Sequence, residues 1–224
     1  MTFQRARSDE QRAIRRQAIL DTAAAMLTEM PVAQVSLNEL SRRVGLAKSN
    51  VLRYFESREA VLLELLVVAW RDWLGELAGA LAAGVDPAAP PVRRGDQVSA
   101  VLADSLTARP VLCDLIGAQA AVLERNVSAQ VAAQYKRSAV ANAVALAGLV
   151  RERVGELSEL DAMRFAAVAA MVTGAVWTHA QPSAAMLTAY REDPELAALR
   201  LDFTDTLRQT LAVLFSGLLA RSGS

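Results

Sequence analysis

Cysteine and histidine are almost absent from this 224-residue chain, which contains one of each, Cys113 and His179. A single cysteine excludes an intrachain disulfide and a thiolate metal cluster. The sequence contains no glycine-rich phosphate loop, no metal-ligand spacing and no nucleophile beside a base. We therefore expect no catalytic residues, no metal site and no cofactor.

Aromatic residues are also few, at 5% of the chain, and the alternating pattern typical of strands is scarce. Alanine and leucine instead recur at spacings of three and four, which predicts an all-α protein of about nine helices. The uncharged run Phe165–Trp177 covers 13 residues, which is too short to cross a bilayer. Because the N-terminus has no secretion signal, we expect a cytoplasmic protein without membrane contact.

The net charge is zero, but the two signs are not distributed evenly. Residues 1–58 hold ten Lys and Arg against six Asp and Glu, so the N-terminal part is basic and the remainder acidic. A basic N-terminal part favours contact with a polyanion such as DNA.

Residues 36–58 have the pattern of a helix-turn-helix. Ser36 and Glu39 form the capping signal of a first short helix. Gly45 is suited to the left-handed conformation that ends such a helix. A second short helix then begins near Lys48.

The second helix presents polar residues on the side opposite Val51 and Phe55, which are predicted to face inward. The outward residues are Lys48, Ser49, Asn50 and Arg53. Arg can contact guanine, Asn can contact adenine, and Lys and Ser can hold phosphates or base edges. A solvated polar face is the simpler alternative, but the cap, the glycine and these residues occur together at the spacing of a DNA-reading motif.

The same stretch resembles the TetR family of bacterial transcriptional regulators. The resemblance covers residues 10–75 and rests on Leu40, Gly45, Leu46, Val51–Phe55 and Arg58–Leu62. It implies a DNA-binding domain of three helices over residues 8–56, with the helix-turn-helix at about 36–55. Residues 57–224 would form a helical domain for ligand binding and dimerisation. The residues that we expect at the DNA are Ser36, Arg42, Arg43, Lys48, Ser49, Asn50, Arg53, Tyr54 and Arg58.

The chain departs from the family pattern at Leu52, where a tyrosine usually touches the DNA backbone. Leucine cannot donate a hydrogen bond, so at least one phosphate contact is lost or is replaced by Tyr54 or Arg53. The resemblance also implies that Arg58 faces phosphate, the alternative being an ordinary surface arginine.

Caps and helix breakers predict the remaining elements. The first helix should begin at a cap formed by Ser8, after a loose segment over residues 1–7. The other predictions are helix four at about 57–83, a loop at 84–95, helix five at 96–108, an irregular stretch at 181–194 and a last helix at 195–220.

The C-terminal two thirds combines apolar helices with isolated polar and aromatic residues, which is how a small-molecule pocket is built. We expect a small apolar or amphipathic effector there. Core packing is the alternative for each residue singly, and a redox-sensing thiol is a second alternative for Cys113. The candidate effector residues are Trp70, Trp73, Cys113, Gln119, Tyr135, Asn142, Met171, Thr173 and Trp177.

Residues 158–179 are crowded with alanine and glycine, and residues 195–220 have a wide apolar stripe. These features predict a homodimer built from the two helices of each chain, although an intrachain core would have the same pattern. The function that we expect is a homodimeric repressor released from double-stranded operator DNA by a small molecule. The alternatives are a chromosome or division organiser acting through protein partners, and a helical enzyme or carrier with an incidental helix-turn-helix.

Overall fold

The computed structural model describes residues 2–222 of the protein, with side chains described for residues 10–221. The described residues are helical throughout the regular structure and form no strand, so the all-α prediction is confirmed. They contain eleven α-helices rather than the predicted nine. The helices are α1 (Thr2–Glu29), α2 (Leu37–Val44), α3 (Lys48–Val51), α4 (Arg58–Gly84), α5 (Pro91–Thr107), α6 (Pro110–Ala118), α7 (Ala129–Arg153), α8 (Glu159–Ala180), α9 (Ala184–Glu192), α10 (Pro194–Ala197) and α11 (Phe203–Ser222).

The chain divides into two compact units. The first contains the residues up to Val68 together with Ala118–Lys136, and the second contains Ala69–Gly117 and the residues from Arg137 onward. Helices α4 and α7 each begin in the first unit and end in the second.

The first unit has a core built by α1, α2, α3 and the start of α4. Apolar side chains from each of these helices are fully or almost fully buried: Ile19, Met26, Leu40, Val51, Phe55 and Leu62. Arg16 lies 4.4 Å above the Phe55 ring and forms an ion pair with Glu64 of α4. Arg16 therefore joins α1 both to Phe55, just after α3, and to the first part of α4.

The second unit is organised around α11, which packs against α5 and α8. The rings of Phe165 on α8 and Phe215 on α11 meet edge to face, with their centroids 4.8 Å apart. Leu211 is completely buried in the same core. This residue therefore belongs to the intrachain core, which was the alternative reading of the last helix.

Two predicted helix starts differ from the structure. Helix α1 begins at Thr2, so the segment predicted to be loose is helical from residue 2 onward. The predicted cap at Ser8 concerns a side chain outside the described ones. Helix α5 begins at Pro91, inside the predicted loop, because proline is well suited to the first position of a helix.

The predicted last helix at 195–220 is interrupted. The Asp193 side chain accepts hydrogen bonds from the backbone N–H groups of Glu195 and Leu196 and caps α10. Asp202 likewise accepts a bond of 2.8 Å from the N–H of Asp205 and starts α11. The stretch predicted to be irregular contains α9, which begins after the cap residue Ser183. Three capping side chains thus divide this region into separate helices.

The 13-residue uncharged run Phe165–Trp177 lies within α8, a helix of 22 residues that also contains Glu159, Asp161 and Arg164. By length and composition it is the one unbroken described helix that could cross a membrane, and 33% of its most apolar window is buried. Helices α5 and α6 with the following π turn pass that test only as a pair, which is bent by 94°. The inner side of α8 is occupied by protein, as the packing of Phe165 indicates.

Candidate nucleic-acid interface

Helix α2 begins and ends as its sequence predicts. The Ser36 hydroxyl oxygen accepts a hydrogen bond of 3.2 Å from the N–H of Glu39, which caps the helix. Gly45 ends it with φ of 71°, and its N–H donates to the carbonyl of Arg42 at 3.3 Å. Because this φ strains any residue with a Cβ atom, the glycine defines the direction in which the chain enters α3.

Helix α3 is a single turn that exposes its polar residues. Val51 and Phe55 are buried, while the four residues predicted to face outward are exposed: Lys48, Ser49, Asn50 and Arg53. None of these four has a hydrogen bond or ion pair through its side chain within residues 10–221. Polar groups held on a fixed helical turn without partners are available for an external ligand.

An open groove of about 450 Å³ lies beside α3 and is bounded on its other side by α1. Three residues that line the groove, Asn50, Arg53 and Tyr54, were predicted to contact DNA. Three lining residues on α1 were not predicted. The lining residues are Gln11, Arg12, Arg15, Leu46, Asn50, Arg53 and Tyr54. The only available signal for the α1 residues was the cluster of arginines on the polar side of that helix.

Arg42 and Arg43 at the end of α2 are held by carboxylates. Arg42 donates to Glu39 at 2.6 Å, and Arg43 donates to Glu39 at 2.8 Å and to Glu29 at 2.6 Å. Hydrogen bonds from Arg42 and then Arg43 lower the pKa of Glu39 to about 2. The side chain of Arg42 remains 72% exposed, so its guanidinium can still reach an external anion.

Arg58 points into the protein, contrary to the prediction that it faces phosphate. Its side chain is 18% exposed, donates to the backbone carbonyl of Val32 and pairs with Glu59 at 3.2 Å. Its Nε is buried without a hydrogen-bond partner among the described residues. The arginine therefore connects the start of α4 to the turn after α1, which explains its place in the first helical turn without a phosphate.

The nine candidate effector residues do not form one described cluster. Gln119 and Tyr135 belong to the first unit, and the other seven belong to the second. Gln119 donates to Glu124 at 2.8 Å within the π turn that follows α6. Tyr135 is buried, and burial together with the charge of Glu124 raises the pKa of its hydroxyl. Both residues have structural partners of their own.

Trp73 and Cys113 are part of the core of the second unit. The Trp73 indole N–H donates to the Ser105 hydroxyl at 3.0 Å, and its ring meets that of Trp70 edge to face at 4.9 Å. The Cys113 thiol donates to the carbonyl of Leu106 at 3.3 Å. Burial raises the pKa of this thiol to about 12, so it is not reactive in the folded protein and does not suit a redox sensor.

Helix α8 carries three of the candidates, which face different directions. Met171 is 66% exposed and so does not face the interior, contrary to the expectation that it lines a pocket. Thr173 is buried and donates to the Ala169 carbonyl of its own helix at 2.8 Å. Trp177 is half-buried against Phe203, with ring centroids 5.1 Å apart. Asn142 lies half-buried on α7.

Trp177 has a buried indole N–H without an acceptor among the described residues. It lies where α6 and α8 approach closely, since a Cβ atom added at Gly117 would be 2.9 Å from the Thr178 hydroxyl and 3.7 Å from the Trp177 ring. An unpaired buried donor costs about 1–3 kcal/mol. Of the nine candidates, Trp177 is the one whose side chain has a buried polar atom without a partner among the described residues.

The helical fold and the exposed face of α3 define a DNA-binding protein of the helix-turn-helix class. A family model described as bacterial regulatory proteins of the tetR family matches residues 19–65. A second model, for the tetracyclin repressor-like C-terminal domain, matches residues 68–222. Since the second model covers more than half of the chain, the chain belongs to the TetR family of transcriptional regulators.

Individual relatives are similar in part of the sequence or in the fold. The HTH-type transcriptional regulator EthR of Mycobacterium tuberculosis (strain H37Rv) is 43% identical over 49 residues, which cover 22% of this chain and 23% of that protein. The chain thus matches about a quarter of this curated relative's length.

Solved structures of TetR regulators are similar over almost the whole chain. One from Rhodococcus sp. RHA1 has a TM-score of 0.56 at 17% identity and covers 94% of this chain and 97% of its own. A possible TetR family regulator from Streptomyces coelicolor A3(2) has a TM-score of 0.58 at 19% identity, covering 92% and 99%. At these identities the likeness concerns the fold.

Proposed function

We propose that the protein is a homodimeric transcriptional repressor that acts in the cytoplasm, binds operator DNA through residues 8–56 and binds an effector through residues 57–224. The observation that carries this proposal is the exposed face of α3. Lys48, Ser49, Asn50 and Arg53 project outward without partners in the described chain, from a turn that is anchored by buried Val51 and Phe55.

These residues divide the contacts with DNA. Asn50 and Arg53 read base edges, because their side chains form the bidentate pairs that distinguish adenine and guanine. Lys48, Ser49 and Tyr54 hold phosphates, and Ser36 contributes the hydrogen of its hydroxyl, which the capping bond leaves unused. Arg42 also binds a phosphate, for which it gives up its ion pair with Glu39. Arg43 instead retains its ion pairs with Glu29 and Glu39 and stabilises α2.

A homodimer is supported by large apolar side chains that the C-terminal helices of the second unit leave exposed. They are Leu160 and Met171 on α8, Leu196 and Leu199 in and after α10, and Val213 on α11. Exposed apolar side chains that gather into one patch are typical of a protein interface. The exposed positions on α8 and α11, rather than the buried Leu211, would then form the contact between copies. A two-fold pair presents its α3 helices to half-sites about 34–36 Å apart.

Effector binding is supported by the unpaired indole N–H of Trp177. An effector that places a hydrogen-bond acceptor near this nitrogen would remove the cost of the buried donor. An apolar or amphipathic molecule with one such acceptor would suit these surroundings, because Phe203 and Gly174 near Trp177 are both buried. Binding there would release DNA if the effector favoured an unsuitable separation of the two α3 helices. A preference of roughly 3 kcal/mol would lower operator affinity about a hundredfold.

The proposal is tested by selecting duplexes from a random library with the wild-type protein and measuring their affinity by fluorescence anisotropy. We expect Asn50→Ala to cost roughly 1–3 kcal/mol on the selected duplex and to reduce its preference over random DNA. Asn142→Ala, a change of the same kind in α7, is the control and should leave DNA binding unchanged. Failure of the wild type to enrich any sequence would reject the function.

A further inference from the structure

The groove between α1 and α3 is cationic along both of its sides. Arg12 and Arg15 line it from α1, and Arg53 lines it from the turn after α3. No aspartate or glutamate is among its lining residues, and the three guanidinium groups have no partner within residues 10–221. A concave surface with one sign of charge concentrates the field and attracts an anion.

The two α1 arginines are placed to act together. Arg12 and Arg15 are three residues apart and therefore project from the same side of the helix, while Gln11 precedes Arg15 by one turn and extends the same wall. Asn50 and Tyr54 stand on the opposite wall. An anionic chain that enters the groove would therefore meet the α1 cations and the polar residues of α3 at once.

We propose that this groove holds one phosphodiester strand of duplex DNA, with Arg12 and Arg15 gripping phosphates while α3 contacts the bases. The inference rests on the proposed function, since the same duplex occupies α3. Planar guanidinium groups suit this task because they can donate two parallel hydrogen bonds to one phosphate. Helix α1 is then part of the DNA-binding surface in addition to supporting the helix-turn-helix.

A DNA strand fits the groove better than a small free anion does. At about 450 Å³ the groove has room for more than a single phosphate group, and it is open to the surface. Its wall contains Asn50, whose amide is suited to a base edge rather than to an anion. The lining thus combines arginines suited to phosphate with an amide suited to a base edge.

The test removes both α1 charges with Arg12→Ala and Arg15→Ala in the full-length chain. Alanine is a good helix former and both positions are exposed, so α1 should remain folded, which circular dichroism verifies. The control removes two exposed arginines of the second unit, Arg71 and Arg93, in the same way. Binding to a random-sequence duplex and to the selected duplex is measured by anisotropy over a range of salt concentrations.

We expect the α1 variant to bind both duplexes more weakly by the same factor. The slope of log affinity against log salt should fall by about 3.6, because a dimer on one duplex loses four phosphate contacts and each removes about 0.9. The control should keep the wild-type slope. Replacing single phosphates with neutral methylphosphonates should identify a position that weakens the wild type but not the α1 variant.

An unchanged slope for the α1 variant would overturn the proposal. A loss confined to the selected duplex would also overturn it, because the arginines would then read bases instead of phosphates. These outcomes are distinct from failure of the proposed function, in which the wild type enriches no duplex from the random library.

Discussion

The turn between α2 and α3 leads to a prediction about stability. Replacing glycine with alanine should destabilise the protein at Gly45 in this turn and stabilise it at Gly79 in α4. Gly45 has φ of 71°, and a Cβ atom added there would meet nothing within 4 Å. Gly79 lies inside α4 and is equally unobstructed, but it has ordinary helical geometry. Alanine at the two positions therefore differs only in the backbone conformation that it must adopt.

The magnitudes follow from that difference. A left-handed conformation costs an L-residue about 1–2 kcal/mol. Replacing glycine with alanine also lowers the conformational entropy of the unfolded chain, which stabilises the folded protein by about 0.4–1 kcal/mol. Gly45→Ala should therefore destabilise the protein by about 1 kcal/mol, whereas Gly79→Ala should stabilise it by about 0.5–1 kcal/mol. For a chain of this length, 1 kcal/mol corresponds to a change in Tm of about 2–4 °C.

Thermal unfolding of the two variants and the wild type measures both signs, and hydrogen exchange locates the effect. Gly45→Ala should lower Tm and speed exchange of amides in α2 and α3, while Gly79→Ala should raise Tm and leave those amides unchanged. The reasoning would be refuted if Gly45→Ala raised Tm as Gly79→Ala does, because the turn could not then require a left-handed residue.

Three further predictions concern the second unit and the charged end of α2. Val213 on α11 is 74% exposed, so Val213→Glu should give monomers in sedimentation. Val140→Glu, on the exposed side of α7, is the control and should leave dimers. A dimer that Val213→Glu leaves unchanged would contradict the α11 interface. Because the pKa of Cys113 is raised to about 12, native protein should react with Ellman's reagent at pH 8 only as fast as it unfolds, and rapid labelling would contradict a buried thiol. The lowered pKa of Glu39 places its stabilising effect above its ordinary pKa of about 4.5, with loss as pH falls through about 2. Glu39→Gln should therefore lower the urea midpoint at pH 7 and leave it unchanged near pH 2, and an equal effect at both values would contradict the pairing.

Local signals explain how much of the helix-turn-helix could be predicted. Ser36 caps α2, Gly45 ends it, and Val51 and Phe55 are buried as their spacing predicts. Each of these signals acts within a few residues, where the sequence pattern and the physical cause coincide. The outward direction of Asn50 follows from the same helical period.

The groove could not be predicted because it joins residues distant in sequence. Arg12 and Arg15 precede α3 by more than thirty residues, and no periodicity within α1 indicates which element its polar side faces. The direction of the Arg58 side chain could not be predicted for a related reason. Its partner is the carbonyl of Val32, and a backbone acceptor leaves no mark in the sequence.

The region after α8 was predicted poorly because its apolar residues are not buried. Leu196 and Leu199 have the spacing of a core-facing stripe, yet both are exposed. The capping residues Asp193 and Asp202 mark the helix starts correctly, but the longer apolar pattern outweighed them. Apolar periodicity alone does not distinguish a stripe that faces the core from a surface that contacts another chain.

Hydroxyl-radical footprinting of the selected duplex measures whether two copies of α3 bind one duplex. Two protected segments are expected, with centres one helical turn, about 34–36 Å, apart, and both should be lost in the Asn50→Ala variant at a protein concentration that just saturates the wild type. A single protected segment, or protection that Asn50→Ala leaves intact, would contradict it.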